Sequence, residues 1–374
     1  MKRLAVTAAA IVALTSAPMA QRGTPSKPLE IYVVDTEGGK AALWVAPGGQ
    51  SLLIDSGNPG NRDLDRIMAA IKDAGVKQID FLISTHYHID HIGGLLDLAK
   101  QIPIAHFIDH GPSVEDNEQA KGFQTAYAEL YGKAKHTVAK PGDKIPIAGL
   151  DWRIVTSAGQ ALKTPLPGGG KPNPACAGVA PKDASPTDDN GQSVGSVITF
   201  GQFRAIDLGD LLWNKENELV CPNNPVGTVD AFFVTHHGLD ASNSPALVLG
   251  VQPRVAIMQN GTRKGANVEA MKTMRSSPGL EDIWQLHWSY NAGIELNSPG
   301  VFIANIDDAA TIAGVLNAPA RGGGPGGPPA GGPPAAAAAA HTPAYWIKMS
   351  VQPDGTFTVT NSRNGFSKTY VKRK

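Results

Sequence analysis

Three histidines and one aspartate stand within six residues of the chain, at His86, His88, Asp90 and His91. Neutral imidazoles and carboxylates are the usual ligands of zinc and of related metals, and one compact set can serve two ions. His86 and His88 are two residues apart, so they can reach the same side of an extended segment. Asp90 and His91 follow after a turn and can reach a second position. This spacing predicts a metal site, whereas a single histidine would not.

The flanking residues show how the fold would present this segment. Residues 79–83 form a mostly apolar run that predicts a buried strand, and residues 95–99 have a helix-like pattern. The four candidate ligands therefore lie on the loop between a strand end and a helix start. Such loops often carry function because a rigid scaffold presents their side chains into a cleft.

Two later segments repeat this arrangement. Residues 202–208 predict a strand that leads to Asp210, and residues 230–235 predict a buried strand that leads to His236 and His237. Because every candidate ligand follows a strand, and strands alternate with helices, we expect two packed sheets flanked by helices.

The His-x-His-x-Asp-His pattern resembles the signature of the metallo-β-lactamase fold superfamily. The order of motifs is similar to that of the extracytoplasmic hydrolase domain of bacterial competence (DNA-uptake) channel proteins. These motifs are Ile54-Asp55-Ser56-Gly57, residues 86–91 followed by Gly93-Gly94, then Gly209-Asp210 and His236-His237-Gly238. The resemblance covers about residues 30–280 and implies an α/β fold, the αββα four-layer sandwich.

The resemblance also implies roles for individual residues. The metal ligands it implies are His86, His88, Asp90, His91, Asp210 and His237, and His110 is added to the predicted ligands for a reason given below. Asp210 would lie between two metals, and His237 is favoured over His236 because the histidine directly before glycine is the usual donor in relatives. Asp90 and His236 are the predicted catalytic residues, with His236 as proton donor or oxyanion contact. Asp55 either orients a ligand histidine or caps its turn.

His110 enters this set for a separate reason. Most dinuclear relatives take a further histidine for the first metal from a position before the Gly-Asp motif, but no histidine lies between His136 and His236. Either His110, at the end of a predicted strand over residues 104–109, replaces that ligand, or the first metal has fewer protein ligands and more water.

The predicted reaction is hydrolysis. Two divalent metal ions, zinc in the first place and Mn²⁺ or Fe²⁺ as alternatives, would hold a hydroxide and polarise the electrophile. We predict an exported metal-dependent hydrolase that uses a metal-bound hydroxide on a phosphodiester or another small ester. The alternatives are a lactonase or β-lactamase-like amide or ester hydrolase, and a non-catalytic metal-binding protein.

The charge balance limits the choice of partners. Lys and Arg together number 33, as do Asp and Glu, so the chain lacks the basic excess of a general nucleic-acid-binding protein. A small-molecule or phosphodiester substrate is therefore predicted, a long nucleic acid is not supported by the charge, and no protein partner is predicted.

The first residues predict export. Lys2 and Arg3 precede an apolar run over residues 4–14, and small residues over 15–20 offer a cleavage site, so residues 1–20 read as a signal peptide. The run is too short for a membrane anchor, no later stretch could span a bilayer, and we expect a periplasmic or secreted protein. Cys176 and Cys221 could then form a disulfide; the alternative is that Cys221 is a metal ligand.

Composition divides the rest of the chain. We predict a metallo-hydrolase domain over residues 29–317, a Gly/Pro/Ala-rich flexible insertion over 318–342, and a C-terminal β-hairpin over 343–374 that packs on the main domain. A group of aromatic residues near Trp284 and Tyr290 is explained by core packing more often than by substrate contact.

Overall fold

The computed structural model describes residues 27–306 and 343–372, so the predicted signal peptide and the predicted insertion over 318–342 lie outside the described residues.

The strands are β1 Leu29–Val33, β2 Ala42–Val45, β3 Ser51–Ile54, β4 Phe81–Ile83, β5 His106–Asp109, β6 Lys135–Val138, β7 Lys144–Ile145, β8 Asp151–Ser157, β9 Gln160–Ala161, β10 Lys171–Pro172, β11 Gly195–Phe200, β12 Phe203–Asp207, β13 Asn223–Asn224, β14 Ala231–Phe233, β15 Val255–Met258, β16 Asp282–His287, β17 Ile303–Asn305, β18 Ile347–Val351, β19 Phe357–Asn361 and β20 Ser367–Tyr370. The helices are α1 Asn61–Asp73, α2 Ile89–Ile92, α3 Leu95–Gln101, α4 Glu118–Tyr131, α5 Trp213–Val220, α6 Pro245–Val251, α7 Val268–Arg275 and α8 Gly293–Leu296. Short 3₁₀ turns cover Pro174–Cys176, Asp189–Gln192, Thr235–Gly238 and Gly300–Phe302.

Two sheets carry nearly all of these strands. Within the described ranges the first has nine strands in the order β20-β19-β18-β1-β2-β3-β4-β5-β6, and the second has nine in the order β17-β16-β15-β14-β12-β11-β8-β7, with β9 on β8. The neighbours β3, β4, β5 and β6 are parallel, as are β12, β14, β15, β16 and β17. Parallel strands end at the same edge of a sheet, which is where the ligand segments follow β4, β12 and β14.

The apolar faces of the sheets define four layers. Trp44 of the first sheet packs between the sheets on Trp152 and Phe233 of the second, with ring centroids 5.1 and 5.2 Å apart. The outer face of the first sheet is covered by α1, α3 and α4, and the outer face of the second by α5, α6 and α7. The central strands of each sheet are thus buried on both faces, whereas alternate residues of β18, β19 and β20 are partly exposed. The fold is the predicted αββα sandwich.

The C-terminal strands complete the first sheet. β18 pairs antiparallel with β1, so that Leu29 lies opposite Val351, and β18 and β19 form the predicted hairpin. A third strand, β20, was not predicted; it pairs with β19, and Tyr370 accepts a 2.9 Å hydrogen bond from the indole N–H of Trp284. The hairpin is therefore built into the sandwich, and Trp284 packs in the core.

Two further observations concern the sequence predictions. Cys176 and Cys221 form a disulfide, with Cα atoms 5.8 Å apart, so the alternative that Cys221 is a metal ligand is wrong. Among residues 27–306 and 343–372, no helix is long and apolar enough to cross a membrane.

Candidate metal centre

A sharp turn brings the motif segment to the edge of the first sheet. β4 ends at Ile83, the chain stays extended to His88, and α2 then carries Asp90 and His91. A Cβ atom on Gly93 would collide with the Ile89 carbonyl, so glycine is required at this position where α2 packs against the segment after β3. The sequence thereby places the two candidate ligands of α2 directly above the strand ends.

Four side chains from three segments converge here. The His91 Nε2 atom lies 3.1 Å from Asp210 Oδ2, 3.2 Å from His237 Nε2 and 3.4 Å from Asp90 Oδ2. His237 Nε2 lies 3.2 Å from Asp210 Oδ2 and 3.3 Å from Asp90 Oδ2. One ligand atom from each residue lies within 4.8 Å of the others, so the four could bind one metal ion together. We call these four residues the Asp/His cluster.

The opposite nitrogen of each imidazole in the Asp/His cluster has its own partner. His91 Nδ1 lies 2.7 Å from Asp55 Oδ2, and His237 Nδ1 donates to the carbonyl oxygen of Gln259 at 3.0 Å. Ligand histidines usually donate their second N–H to a carboxylate or carbonyl, which fixes the tautomer that offers a lone pair to the metal. By this criterion the residues fit a bound divalent ion.

The charges in the Asp/His cluster stabilise one another. Burial raises the pKa of the Asp210 carboxyl, but the imidazoles of His237 and His91 outweigh burial and hold that pKa well below its usual range. Burial likewise lowers the pKa of His91, but the carboxylates of Asp210 and Asp90 raise it well above its usual value. The carboxylates are therefore ionised and ready for a cation, whose binding would displace protons from the imidazoles.

His86 and His88 lie beside the Asp/His cluster. The ring centroids of His86 and His91 are 4.1 Å apart, and those of His86 and His88 are 4.7 Å apart. His86 Nε2 is buried and has no hydrogen-bond partner among the described residues, and the same is true of the second carboxylate oxygen of Asp210. Burial and the neighbouring imidazolium charges keep the pKa of His86 well below its usual value, so its imidazole is neutral, as a ligand must be.

His236 lies at the rim of the Asp/His cluster. Its Nε2 is 3.5 Å from Asp210 Oδ2, and its Nδ1 is 3.1 Å from Ser242 Oγ. Because the Ser242 hydroxyl donates to the Leu211 carbonyl, Nδ1 of His236 must be the donor in this pair, and its Nε2 carries a lone pair. Burial lowers the pKa of His236 to about 4. The contacts thus favour a proton acceptor over the predicted proton donor or oxyanion contact.

His110 does not join the Asp/His cluster. It follows β5, and its Nε2 lies 3.1 Å from Asp189 Oδ2, while its ring packs on Tyr87 with centroids 5.0 Å apart. Its part as a metal ligand stays a prediction.

Several residues that contact the site were missed by sequence analysis. Asp189 accepts hydrogen bonds from the Tyr87 amide (2.7 Å) and the Ser113 hydroxyl (2.8 Å), and Glu115 Oε1 lies 2.8 Å from His88 Nε2. The sequence offered one signal for Asp189: two adjacent aspartates at 188–189 lie inside a long irregular stretch, and such stretches are often functional.

Lys264 also contacts the site and was not predicted from the sequence. It lies on the loop after β15, and its ammonium contacts the Asp90 carboxylate. Nothing in the local sequence around Lys264 indicates this contact.

Other acidic groups with histidines occur among the described residues. Glu115 and Asp188 join His88 in one such group, and Asp35 and Glu37 join His287 in another. In the second group Asp35 is already engaged, because it pairs with His287 at 2.7 Å and with the Arg66 guanidinium at 2.9 Å.

Comparison with known proteins identifies the fold family. Residues 35–179 match the family model described as the metallo-β-lactamase superfamily. This part of the chain is a metallo-β-lactamase superfamily domain. The two divalent metals typical of the superfamily are in keeping with the Asp/His cluster and its neighbours His86 and His88.

Relatives of this metallo-β-lactamase domain include two curated proteins. ComE operon protein 3 of Bacillus subtilis (strain 168) is 28% identical over 189 residues, which are 50% of this chain and 20% of that protein. Hydroxyacylglutathione hydrolase of Citrobacter koseri is 27% identical over 122 residues, which are 32% of this chain and 39% of that protein. The chain thus spans well under half the length of these relatives. Among solved structures, a metal-dependent hydrolase of the β-lactamase superfamily (Tm1679) superposes with a TM-score of 0.40 at 12% identity, over 69% of this chain and 95% of that chain.

Proposed function

We propose that this protein is an exported metal-dependent hydrolase that acts on a phosphodiester or another small ester. The observation that carries the proposal is the Asp/His cluster, whose four ligand atoms lie within 4.8 Å of one another. The Nδ1 atoms of its two imidazoles are hydrogen-bonded to Asp55 and to the Gln259 carbonyl, which leaves each Nε2 directed at the cluster. Two divalent ions at this edge, zinc in the first place, would lower the pKa of water to near neutrality and polarise the scissile bond.

The residues of the chain have separate tasks in this reaction. Asp90, His91 and His237 would bind one ion, and Asp210 would lie between the two because one of its oxygens faces the Asp/His cluster while the other has no partner among the described residues. His236 would accept a proton at Nε2, since its low pKa keeps that nitrogen free at neutral pH.

Lys264 supports an anionic substrate. Its ammonium contacts Asp90 at the Asp/His cluster, and its side chain is 37% exposed, so it can also reach a group that enters from solvent. Once Asp90 binds a metal, the Lys264 ammonium can pair with a phosphate or carboxylate of the substrate. The equal numbers of acidic and basic residues still argue against a long nucleic acid, which requires a basic groove.

The disulfide between Cys176 and Cys221 supports the proposal that the protein is exported. The Cys176–Cys221 disulfide is of a kind that persists in oxidising compartments such as the periplasm or the extracellular space. This agrees with the signal-peptide pattern of residues 1–20.

A substrate panel tests the proposal. The zinc-loaded protein would be assayed on bis-p-nitrophenyl phosphate, p-nitrophenyl esters, nitrocefin and a lactone, with and without a chelator. We expect chelator-sensitive turnover of the phosphodiester or a simple ester, lost in Asp210→Ala and His237→Ala and retained in His136→Ala, whose imidazole pairs with Asp109 outside the Asp/His cluster. Turnover that survives Asp210→Ala would contradict the mechanism, and metal binding without turnover of any substrate would favour the non-catalytic alternative.

A further inference from the structure

A third buried polar atom near the motif segment has no hydrogen-bond partner among the described residues. Besides His86 Nε2 and Asp210 Oδ1, the Oδ1 atom of Asn190 is buried and has no hydrogen-bond partner among the described residues. The Asn190 residue is only 4% exposed. Buried polar atoms are nearly always paired, and an unpaired one calls for an explanation such as an ion.

The backbone around Asn190 is fixed against the motif segment. Asn190 lies in the 3₁₀ turn Asp189–Gln192, which we call the asparagine turn. On one side of His86, the Tyr87 amide donates to Asp189 at 2.7 Å. On the other side, the Val194 amide donates to the Thr85 carbonyl at 2.9 Å. His86 lies between these two attachments, so the asparagine turn runs alongside it.

The same stretch also contacts the segment that carries Asp210. The Asp210 amide donates to Ser193 Oγ at 3.2 Å. A Cβ atom on Gly209 would lie 3.2 Å from the Cβ of Ser193 and 2.8 Å from that of Thr85, so these backbones are in close contact. The three unpaired atoms therefore belong to three segments that touch one another.

His88 offers a fourth candidate ligand atom beside His86 Nε2, Asp210 Oδ1 and Asn190 Oδ1. Its Nε2 lies 2.8 Å from Glu115 Oε1, and a carboxylate in that position accepts a hydrogen bond from the Nε2–H group. The tautomer so fixed has its lone pair on Nδ1, as expected of a ligand histidine held by a carboxylate.

We propose that the side-chain oxygen of Asn190 is a ligand of the first metal, together with His86 Nε2, His88 Nδ1 and Asp210 Oδ1. This inference rests on the proposed metal-dependent function. An amide oxygen is a good ligand for hard divalent cations. It supplies a protein ligand in a chain that has no histidine between His136 and His236.

The chemistry of this ligand has a consequence for metal loading. An amide oxygen is neutral and harder than an imidazole nitrogen, so it binds zinc less well and manganese comparatively better. The first site is therefore weaker for zinc than the second, which has two carboxylates and two imidazoles in the Asp/His cluster. The protein should take up zinc in two distinguishable steps.

His110 is the competing ligand, because its Nδ1 is also buried without a partner among the described residues. Its Nε2 contacts Asp189 at 3.1 Å, so its Nδ1 would be left free in the same way as that of His88. Variants at Asn190 and His110 therefore separate the two possibilities.

The test counts bound metal and does not depend on turnover. The full chain would be titrated with Zn²⁺ and Mn²⁺ by calorimetry, and bound metal would be counted after equilibrium dialysis. We expect Asn190→Ala to weaken the lower-affinity site by about tenfold or more while leaving the higher-affinity site unchanged. Asn190→Asp, which keeps an oxygen ligand, should retain both equivalents. His110→Ala and the matched control Asn217→Ala, which removes another buried oxygen without a partner among the described residues, should bind like wild type.

The outcomes are distinguishable from a failure of the proposed function. Wild-type protein that binds two metals, with Asn190→Ala binding both at wild-type affinity, would overturn this inference alone. Loss of one equivalent in His110→Ala and not in Asn190→Ala would assign the ligand to His110 and also overturn it. Wild-type protein that binds no divalent metal would instead overturn the proposed function. Thermal unfolding of the metal-free variants shows whether each one is folded.

Discussion

The carboxylate of Asp55 lies 2.7 Å from the Nδ1 atom of His91, and both side chains are fully buried. Asp55 is itself held by the amide and the hydroxyl of Thr85, each at 2.8 Å, and has a left-handed backbone with φ of 59°. Of the two interpretations that the sequence left open for Asp55, these contacts favour orientation of a ligand histidine.

Replacement of Asp55 should weaken metal binding without removing a ligand. We expect Asp55→Asn to lower zinc affinity by about 10- to 100-fold, because an amide polarises the His91 imidazole less than a carboxylate does. Competition with a chromogenic chelator measures the affinity. Asp97→Asn, which removes an exposed carboxylate paired with Lys100, is the control. Unchanged affinity in Asp55→Asn would show that Asp55 serves the turn alone.

Lys264 should discriminate between substrates by charge. We expect Lys264→Gln to lower kcat/KM for bis-p-nitrophenyl phosphate by about tenfold or more, since a hydrogen bond to a charged group contributes about 1.5–3 kcal/mol. A neutral p-nitrophenyl ester should be affected much less. The ratio of the two kcat/KM values cancels any change in metal content. Arg263→Gln removes the neighbouring, exposed charge and should leave the ratio unchanged. Equal losses on both substrates would show that Lys264 does not bind the anion.

Local patterns in the sequence predicted the parts of the fold that deliver the ligands. The apolar runs before His86, Asp210 and His236 became β4, β12 and β14, because short hydrophobic runs flanked by glycine or polar residues favour buried strands. The resemblance supplied the αββα order of layers, which agrees with the two sheets and their helical covers.

Contacts between distant residues could not be predicted in this way. The Asp189–Tyr87 bond joins residues 102 positions apart, and the Lys264–Asp90 contact joins residues 174 apart. No periodicity in one segment encodes the register of another. The strand β16 was also missed. It belongs to the second sheet, and its Trp284 side chain packs between the two sheets, where the indole N–H donates to the Tyr370 hydroxyl.

The disulfide should contribute to stability and not to catalysis. It closes a loop of 45 residues, for which the chain-entropy account gives a stabilisation of about 4 kcal/mol. We expect the double variant Cys176→Ser/Cys221→Ser to unfold at a lower guanidinium concentration and to keep its metal content. Circular dichroism with oxidised wild type as reference measures the midpoint. Loss of bound metal in the folded variant would contradict this separation of roles.

Glu216 provides a pH-dependent term in stability that is separate from the metal centre. Its carboxylate is fully buried on α5 and accepts hydrogen bonds from the amides of Asn243 (2.9 Å) and Ser244 (2.7 Å) before α6. Burial nevertheless raises its pKa from 4.5 to about 7. Between these two pH values the folded state binds more protons than the unfolded state, so stability falls as the pH rises.

Glu216→Gln should therefore lose less stability than wild type as the pH increases. Below pH 4.5 the protonated Glu216 makes its full contribution to the free energy of unfolding. A pKa shift from 4.5 to about 7 corresponds to about 3 kcal/mol, and this contribution is lost as the pH rises through about 7. Glutamine keeps an acceptor oxygen but does not titrate. Denaturant unfolding of metal-free protein at pH 5 and pH 8 measures the difference, with Glu218→Gln on the exposed side of α5 as the control. Parallel pH profiles for Glu216→Gln and wild type would show that Glu216 is ionised throughout this range.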